Sequence, residues 1–189
     1  MYNEGILISI DPGDFGALTV FKDSKRIKTI DFDIIEYLKI FKEYKKGVIA
    51  IETVNPFPGR INQFGSLKES IGEIKGLAKS TGDFLIINEG LGPSQWKRPY
   101  GLVKPKDEKW KEYEEKTRTI NKCKELYPDI DIPFIRTVHH KDGTTTDYYK
   151  DGRADSCMIG DFVLNYYSPK PSKKSNKSSK KSSKKKSKK

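Results

Sequence analysis

Four carboxylates in this sequence stand where chemistry could be done: Asp11, Glu52, Asp151 and Asp155. Asp11 follows the short apolar run Gly5 to Ile10 and opens the turn Asp11-Pro12-Gly13. Glu52 follows a second apolar run, Val48 to Ile51. Each run reads as a buried strand, and ligands gather at the carboxyl ends of strands in open α/β sheets. Adjacent parallel strands would bring the two acids together. Asp151 and Asp155 lie four apart at the start of the last helical segment, so they share one face. That face turns toward the protein if Met158, Ile159, Phe162 and Val163 dock the helix. Such a cluster repels itself, and a divalent cation would neutralise it. Hard oxygen donors in this number favour Mg²⁺, with Mn²⁺ as substitute, in one or two ions per site. Two ions about 4 Å apart activate a water and stabilise the leaving oxygen of a phosphodiester. The chemistry pointed to is phosphoryl transfer to water. Each acid also has a plain reading: Asp11-Pro12-Gly13 as a turn former, Asp151 as a helix N-cap.

The elements that must position these acids follow from pattern. Gly5–Ile10, Gly16–Phe21 and Arg26–Phe32 read as three strands of an antiparallel meander, with a tight turn at Asp23-Ser24. Ile34, Ile35, Leu38 and Phe41 recur at helical spacing over Asp33 to about Tyr44, with Gly47 as the stop. After the strand at Val48–Ile51, residues Asn55 to Gly65 read as a loop. Ser66 and Glu69 then form a capping box that opens an amphipathic helix. Phe84–Ile87 is the next strand, and Pro93 to about Pro105 is irregular. A long polar helix spans Lys109–Tyr127, a hairpin spans Ile135–Tyr149 and turns at Asp142-Gly143, and a last helix spans Gly152–Tyr166. A meander followed by strands with helical crossovers gives an α/β fold with a mixed five-stranded sheet flanked by helices.

Charge is unevenly placed. The chain of 189 residues carries 37 Lys and Arg against 26 Asp and Glu, for a net charge of +11. Eleven of those lysines fall in residues 168–189, a run of Ser, Lys, Pro and Asn without an acid. Residues 1–167 are therefore formally neutral, with 26 of each sign. The tail cannot bury apolar surface and reads as disordered. Such a lysine run binds polyanions in a salt-dependent way, or serves as a targeting or solubilising extension. Domain organisation is one folded unit over 1–167 with a basic tail over 168–189. No run reaches the roughly 18 apolar residues of a membrane span. The N-terminus has no signal-peptide pattern. Cys123 and Cys157 have no pairing motif, which fits reduced thiols and an intracellular setting (cytoplasm, nucleus or a viral replication site) rather than secretion.

Three segments, in order, resemble the RuvC-type Holliday junction resolvases of the ribonuclease-H-like superfamily. Ile8-Ser9-Ile10-Asp11-Pro12-Gly13 and its continuation to Val20 are similar to that family's first strand and turn. Ile49-Ala50-Ile51-Glu52-Thr53-Val54 is similar to its second acidic strand. Asp151-Gly152-Arg153-Ala154-Asp155 and the small-apolar run after it are similar to its final helix. Gln95 to Leu102 and Lys116 to Pro128 resemble its linking segment. The likeness covers roughly residues 6–166. It implies a ribonuclease-H-like fold and a Mg²⁺-dependent endonuclease that resolves four-way DNA junctions by paired phosphodiester hydrolysis. It implies Asp11, Glu52, Asp151 and Asp155 as catalytic metal ligands, with Lys97 and Lys116 reaching the junction or the scissile phosphate. It also implies a homodimer, because symmetric cutting needs two sites related by a two-fold axis. One departure stands out. Bacterial members space the last two acids three apart; here Gly152 holds that position and Asp151 stands four before Asp155.

The remaining candidates carry two readings each. The resemblance implies that an aromatic near Phe57 wedges into the junction, and core packing is its alternative. Arg60 and Lys68 contact phosphates or are simply solvated. Trp96, beside Lys97 and Arg98, supports DNA binding or packs under its loop. His139 and His140 point to opposite faces of a strand, so at most one could serve as a base; an ordinary hairpin position is the favoured reading. Asp147 falls outside the last helix, and Asp83 and Glu89 read as surface residues. Three other functions are set against the leading one. A nuclease of the same fold could act on RNA–DNA hybrids or other branched DNA. A kinase-like ATPase would need a duplicated domain and about twice the length. A non-catalytic architectural DNA-binding protein would suit the tail but not the intact acids.

Overall fold

The computed structural model describes residues 5–53, 61–108, 112–139, 143 and 145–167. Its strands are β1 (Ile6–Asp11), β2 (Ala17–Lys22), β3 (Lys25–Asp31), β4 (Lys46–Ile51), β5 (Asp83–Ile87), β6 (Phe134–His139) and β7 (Thr145–Tyr149). Its helices are α1 (Ile34–Tyr44), α2 (Ile61–Thr81), α3 (Pro93–Trp96), α4 (Glu112–Leu126) and α5 (Gly152–Asn165), with a 3-10 turn at Arg98–Tyr100. Five strands form one sheet in the order β3-β2-β1-β4-β5, and β6 and β7 form a separate hairpin. β1 pairs antiparallel with β2 and parallel with β4, and β4 pairs parallel with β5. This mixed sheet, a meander continued by parallel crossovers, is the ribonuclease-H-like arrangement expected.

Alternation along the central strands builds two cores. Ile8 and Ile10 of β1, Leu18 and Val20 of β2, and Ile49 and Ile51 of β4 face α1 and α2, joining Tyr37, Phe41, Ile74 and Ala78. Leu7, Phe21, Val48 and Ala50 face the other way, toward Cys123 of α4 and Met158, Ile159 and Val163 of α5. Every central strand is thus buried on both faces, which is why β1 and β4 read as continuous apolar runs. Met158, Ile159, Phe162 and Val163 are all buried, so α5 docks on the side anticipated.

α5 lies directly on β1 and β2 because the positions facing the sheet are small. A side chain at Gly160 would collide with the Phe21 ring and with Ser9 Oγ, and one at Gly152 with the backbone of Phe15 and Gly16. In the space left by missing side chains, Ser9 Oγ donates to the Ser156 carbonyl at 2.6 Å, and the Thr19 and Ser156 hydroxyls meet at 2.8 Å.

Several boundaries differ from expectation, and Pro93–Trp96 and Arg98–Tyr100, read as irregular, are the short helix α3 and a 3-10 turn. α1 ends at Tyr44, and Lys45, at φ 56°, is the left-handed residue that closes it; Gly47 already belongs to β4. The Lys45 N–H returns to the Phe41 carbonyl at 2.9 Å, so the helix closes before glycine is reached. α2 begins at Ile61, five residues before the capping box proposed at Ser66 and Glu69. Both residues lie inside the helix, where the box has no free N–H groups to satisfy.

Candidate active site

The carboxyl ends of β1 and β4 adjoin, and the start of α5 is brought over them. Asp11 is the last residue of β1, and Glu52 follows the last residue of β4. The Glu52 N–H donates to the Ile10 carbonyl at 3.0 Å, which extends the parallel ladder to the two acids. Asp155 lies in the first turn of α5 and Asp151 at its N-cap, joined by the first helical hydrogen bond, Asp155 N–H to Asp151 C=O at 2.9 Å. All four sites named from the sequence therefore come together, and Asp11, Glu52 and Asp155 each feel the charge of others.

That convergence marks their acidities. Burial holds Asp11 well above the usual carboxylate range, and Glu52, Asp155 and Asp151 push it further, against a smaller opposing effect of Lys97. Burial raises Glu52 to about 7, opposed by the Trp96 hydrogen bond and by Lys97. Burial raises Asp155 to about 8, with Lys97 opposing and Asp151 and Glu52 adding. Three neighbouring acids perturbed upward in one place make this a candidate functional centre.

Lys97 sits among these acids. Burial alone would lower its pKa, but Asp155, Glu115 and Glu52 hold it above the ordinary value. Its Nζ is 3.1 Å from Glu115 Oε1 and 5.1 Å from the centre of the Trp96 ring. Its side chain is only 13% exposed, so as placed it faces inward toward the acids. Lys116 is different. It is half-exposed on α4, with Nζ 3.2 Å from Asp151. Asp151 makes no side-chain cap to α5, so of its two sequence readings the plain N-cap is not realised. Arg98 is exposed on the 3-10 turn. Phe57, Arg60 and His140 lie outside the described residues, and Lys68 is exposed on α2. His139 is an exposed residue of β6, and Asp147 belongs to β7.

Two residues of the site were not legible as such. Trp96 is fully buried, the packed alternative of its two readings, and its Nε1–H donates to Glu52 Oε1 at 2.7 Å. Asn88 follows β5, and its Nδ2 donates to the carbonyls of Ile51 and Glu52 at 2.9 and 3.3 Å, while Lys75 Nζ donates to its Oδ1 at 3.1 Å. Asn88 has no sequence signal beyond a polar group next to a strand end, and the basic neighbours of Trp96 give no hint of its bond to Glu52. Cys123 and Cys157 are both free and buried.

The donor set suits a hard divalent cation in kind. It is all carboxylate oxygen, and its members carry repulsion and desolvation that a cation would relieve. As the side chains are placed, no group of three or more His, Cys, Asp or Glu among the described residues encloses a metal position. The match is thus one of donor type and charge.

No protein-family model matches the chain, and no curated protein sequence does. Among solved structures it is similar to Thermus thermophilus RuvC, at 12% identity and a TM-score of 0.48, over 84% of this chain and 95% of that one. It is similar to the T. thermophilus RuvC solved in complex with a Holliday junction substrate, at 11% and 0.46, over 84% and 94%. It is also similar to Ydc2, the yeast mitochondrial Holliday junction resolvase, at 15% and 0.37, over 85% and 78%. These values are low; the ribonuclease-H-like arrangement is fixed by the strand order and directions themselves. Among the described residues, no helix is long and apolar enough to cross a membrane.

Proposed function

We propose that this chain is a Mg²⁺-dependent endonuclease that cuts branched DNA, with four-way junctions as its substrate. The observation that carries the reading is the meeting of Asp11 and Glu52, at the carboxyl ends of two parallel strands, with Asp155 of α5, each with its pKa raised chiefly by burial and further by neighbouring carboxylates. A protein that only bound DNA would gain nothing from clustered acids that repel phosphate. Asp11, Glu52, Asp155 and Asp151 would hold the cation, which when bound supplies an activated water and charge neutralisation at a phosphodiester.

The chain's own residues do the rest. The ladder between β1 and β4 fixes the spacing of Asp11 and Glu52. The packing of α5 sets Asp155 over them. Lys116, exposed beside Asp151, is placed to exchange its carboxylate partner for a DNA phosphate and to stabilise charge developing there. Lys97 balances the cluster from within, and Arg98 offers a second phosphate contact at the surface. Phe57 and Arg60, which follow Glu52 in the sequence, are assigned to DNA contact, and the lysine run at 168–189 to tethering DNA without sequence preference. Paired cuts call for a homodimer.

The test is a labelled synthetic four-way junction beside a matched duplex, with Mg²⁺ or EDTA, against wild type, Asp11→Asn and Glu52→Gln. Symmetric, metal-dependent cutting of the junction alone, lost in both variants, is expected. Binding to both DNAs without cleavage in Mg²⁺ or Mn²⁺ would replace this reading with an architectural role. Cleavage of an RNA–DNA hybrid in preference to the junction would keep the chemistry and change the substrate.

A further inference from the structure

Glu52 is held through both its backbone and its side chain. Its N–H is tied to Ile10 across the ladder, and its carbonyl and that of Ile51 share the Asn88 amide. The residue is 9% exposed, and one carboxylate oxygen, Oε1, accepts from Trp96. An indole N–H can only donate, and a fully buried one needs an acceptor. Glu52 supplies it.

The tryptophan is itself fixed. It ends α3, a four-residue turn whose entry is set by Pro93 at its first position and by Gln95, whose side chain accepts from the Gly92 N–H at 2.9 Å. Its ring packs in the core with Leu91, Leu102 and Ile120, and Lys97 covers it. A rigid donor thus meets a carboxylate whose backbone cannot shift to follow another partner.

From this geometry we infer that Trp96 is a positioning residue for Glu52: by occupying Oε1 it fixes the carboxylate rotamer and leaves Oε2 as the oxygen offered to the cluster. The inference rests on the proposed reading of the cluster as a divalent-cation site. Partners of this kind around ligating side chains change metal affinity by about 10–100-fold when removed.

The experiment uses the full-length protein and Mn²⁺ as the probe, with binding followed by electron paramagnetic resonance in the absence of DNA. Trp96→Phe keeps most of the ring volume and removes the N–H. It is expected to weaken Mn²⁺ binding at least about tenfold. In the Glu52→Gln background the same change is expected to add nothing, because the carboxylate it orients is gone. A second readout is optical. The chain has two tryptophans, so Trp110→Phe leaves Trp96 as sole reporter. Its emission should shift with Mg²⁺, and the shift should vanish in Trp110→Phe with Asp11→Asn. If Trp96→Phe binds Mn²⁺ as wild type does and only its melting temperature falls, Trp96 is packing alone and the inference is overturned. If wild type itself binds no Mn²⁺, or Asp11→Asn binds it equally well, the reading of the cluster fails first and the role of Trp96 falls with it.

Discussion

Ser9 of β1 and Ser156 of α5, 147 residues apart, are joined by a 2.6 Å hydrogen bond from the Ser9 hydroxyl to the Ser156 carbonyl. The bond lies in the contact that sets α5 against the sheet, two residues before Asp11 and one after Asp155. The distance between helix and strand, and with it the convergence of the acids, depends on small side chains at this seam.

Gly160→Val tests that seam. The added atoms would meet Ser9 Oγ and the Phe21 ring, both buried. Overpacking of this kind costs about 1–3 kcal/mol. Urea unfolding should show the loss, and junction cleavage should fall even at temperatures where the protein stays folded, because α5 is lifted from β1.

Asp11→Asn should separate stability from activity. Replacing a desolvated carboxylate that others repel removes an unfavourable charge. In EDTA the variant is expected to melt higher than wild type by calorimetry, while its cleavage of a four-way junction is abolished. A lower melting temperature would mean that Asp11 is held by favourable partners.

The same electrostatics give a pH dependence to the metal-free protein. Glu52, at about 7, and Asp155, at about 8, lie above the value of about 4 that carboxyls take in an unfolded chain. Between those limits the folded state binds more protons than the unfolded one. Its stability is therefore greatest below about pH 4 as far as these groups contribute, and is lost as pH rises through 7 to 8. Melting temperatures in EDTA should fall from pH 5.5 to pH 8.5, and Mg²⁺ should raise the melting temperature more at pH 8.5 than at pH 5.5.

Lys116→Gln is expected to leave stability within about 1 kcal/mol, since its pair with Asp151 is half-exposed. Its effect should be on DNA. Affinity for the junction should weaken, and the dependence of binding on salt should become shallower by about one ion. Unchanged salt dependence would remove Lys116 from the contact.

Asp161 serves the frame around the site. It is buried, and it accepts from Tyr100 Oη at 2.5 Å and Tyr127 Oη at 2.6 Å, joining the 3-10 turn and the end of α4 to α5. Asp161→Ala strands two part-buried hydroxyls and should cost about 1–3 kcal/mol, read by denaturant unfolding.

Much of this architecture was legible in the sequence because it is written in local pattern. Buried strands such as β1 and β4 are continuous apolar runs, and a helix such as α5 announces its docking face by Met158, Ile159, Phe162 and Val163. Asp11 and Glu52 were legible because an acid directly after an apolar run must sit at a strand's carboxyl end. Helix ends were less so: Lys45 rather than Gly47 closes α1, since the choice depends on where the chain must turn into β4.

What the sequence by itself determined, then, is the order of elements, the alternation that buries β1 and β4 on both faces, and the charge divided between a formally neutral stretch at 1–167 and a lysine-rich run at 168–189. Tertiary structure alone decided the partners. Trp96 reaches Glu52 across 44 residues, Asn88 reaches Ile51 across 37, and Lys97 turns inward among the acids. The physical reason is that a strand or helix is selected by the periodicity of its own side chains. A hydrogen bond or a shifted acidity is selected by whatever the packed chain brings within a few ångströms, and no local pattern encodes that.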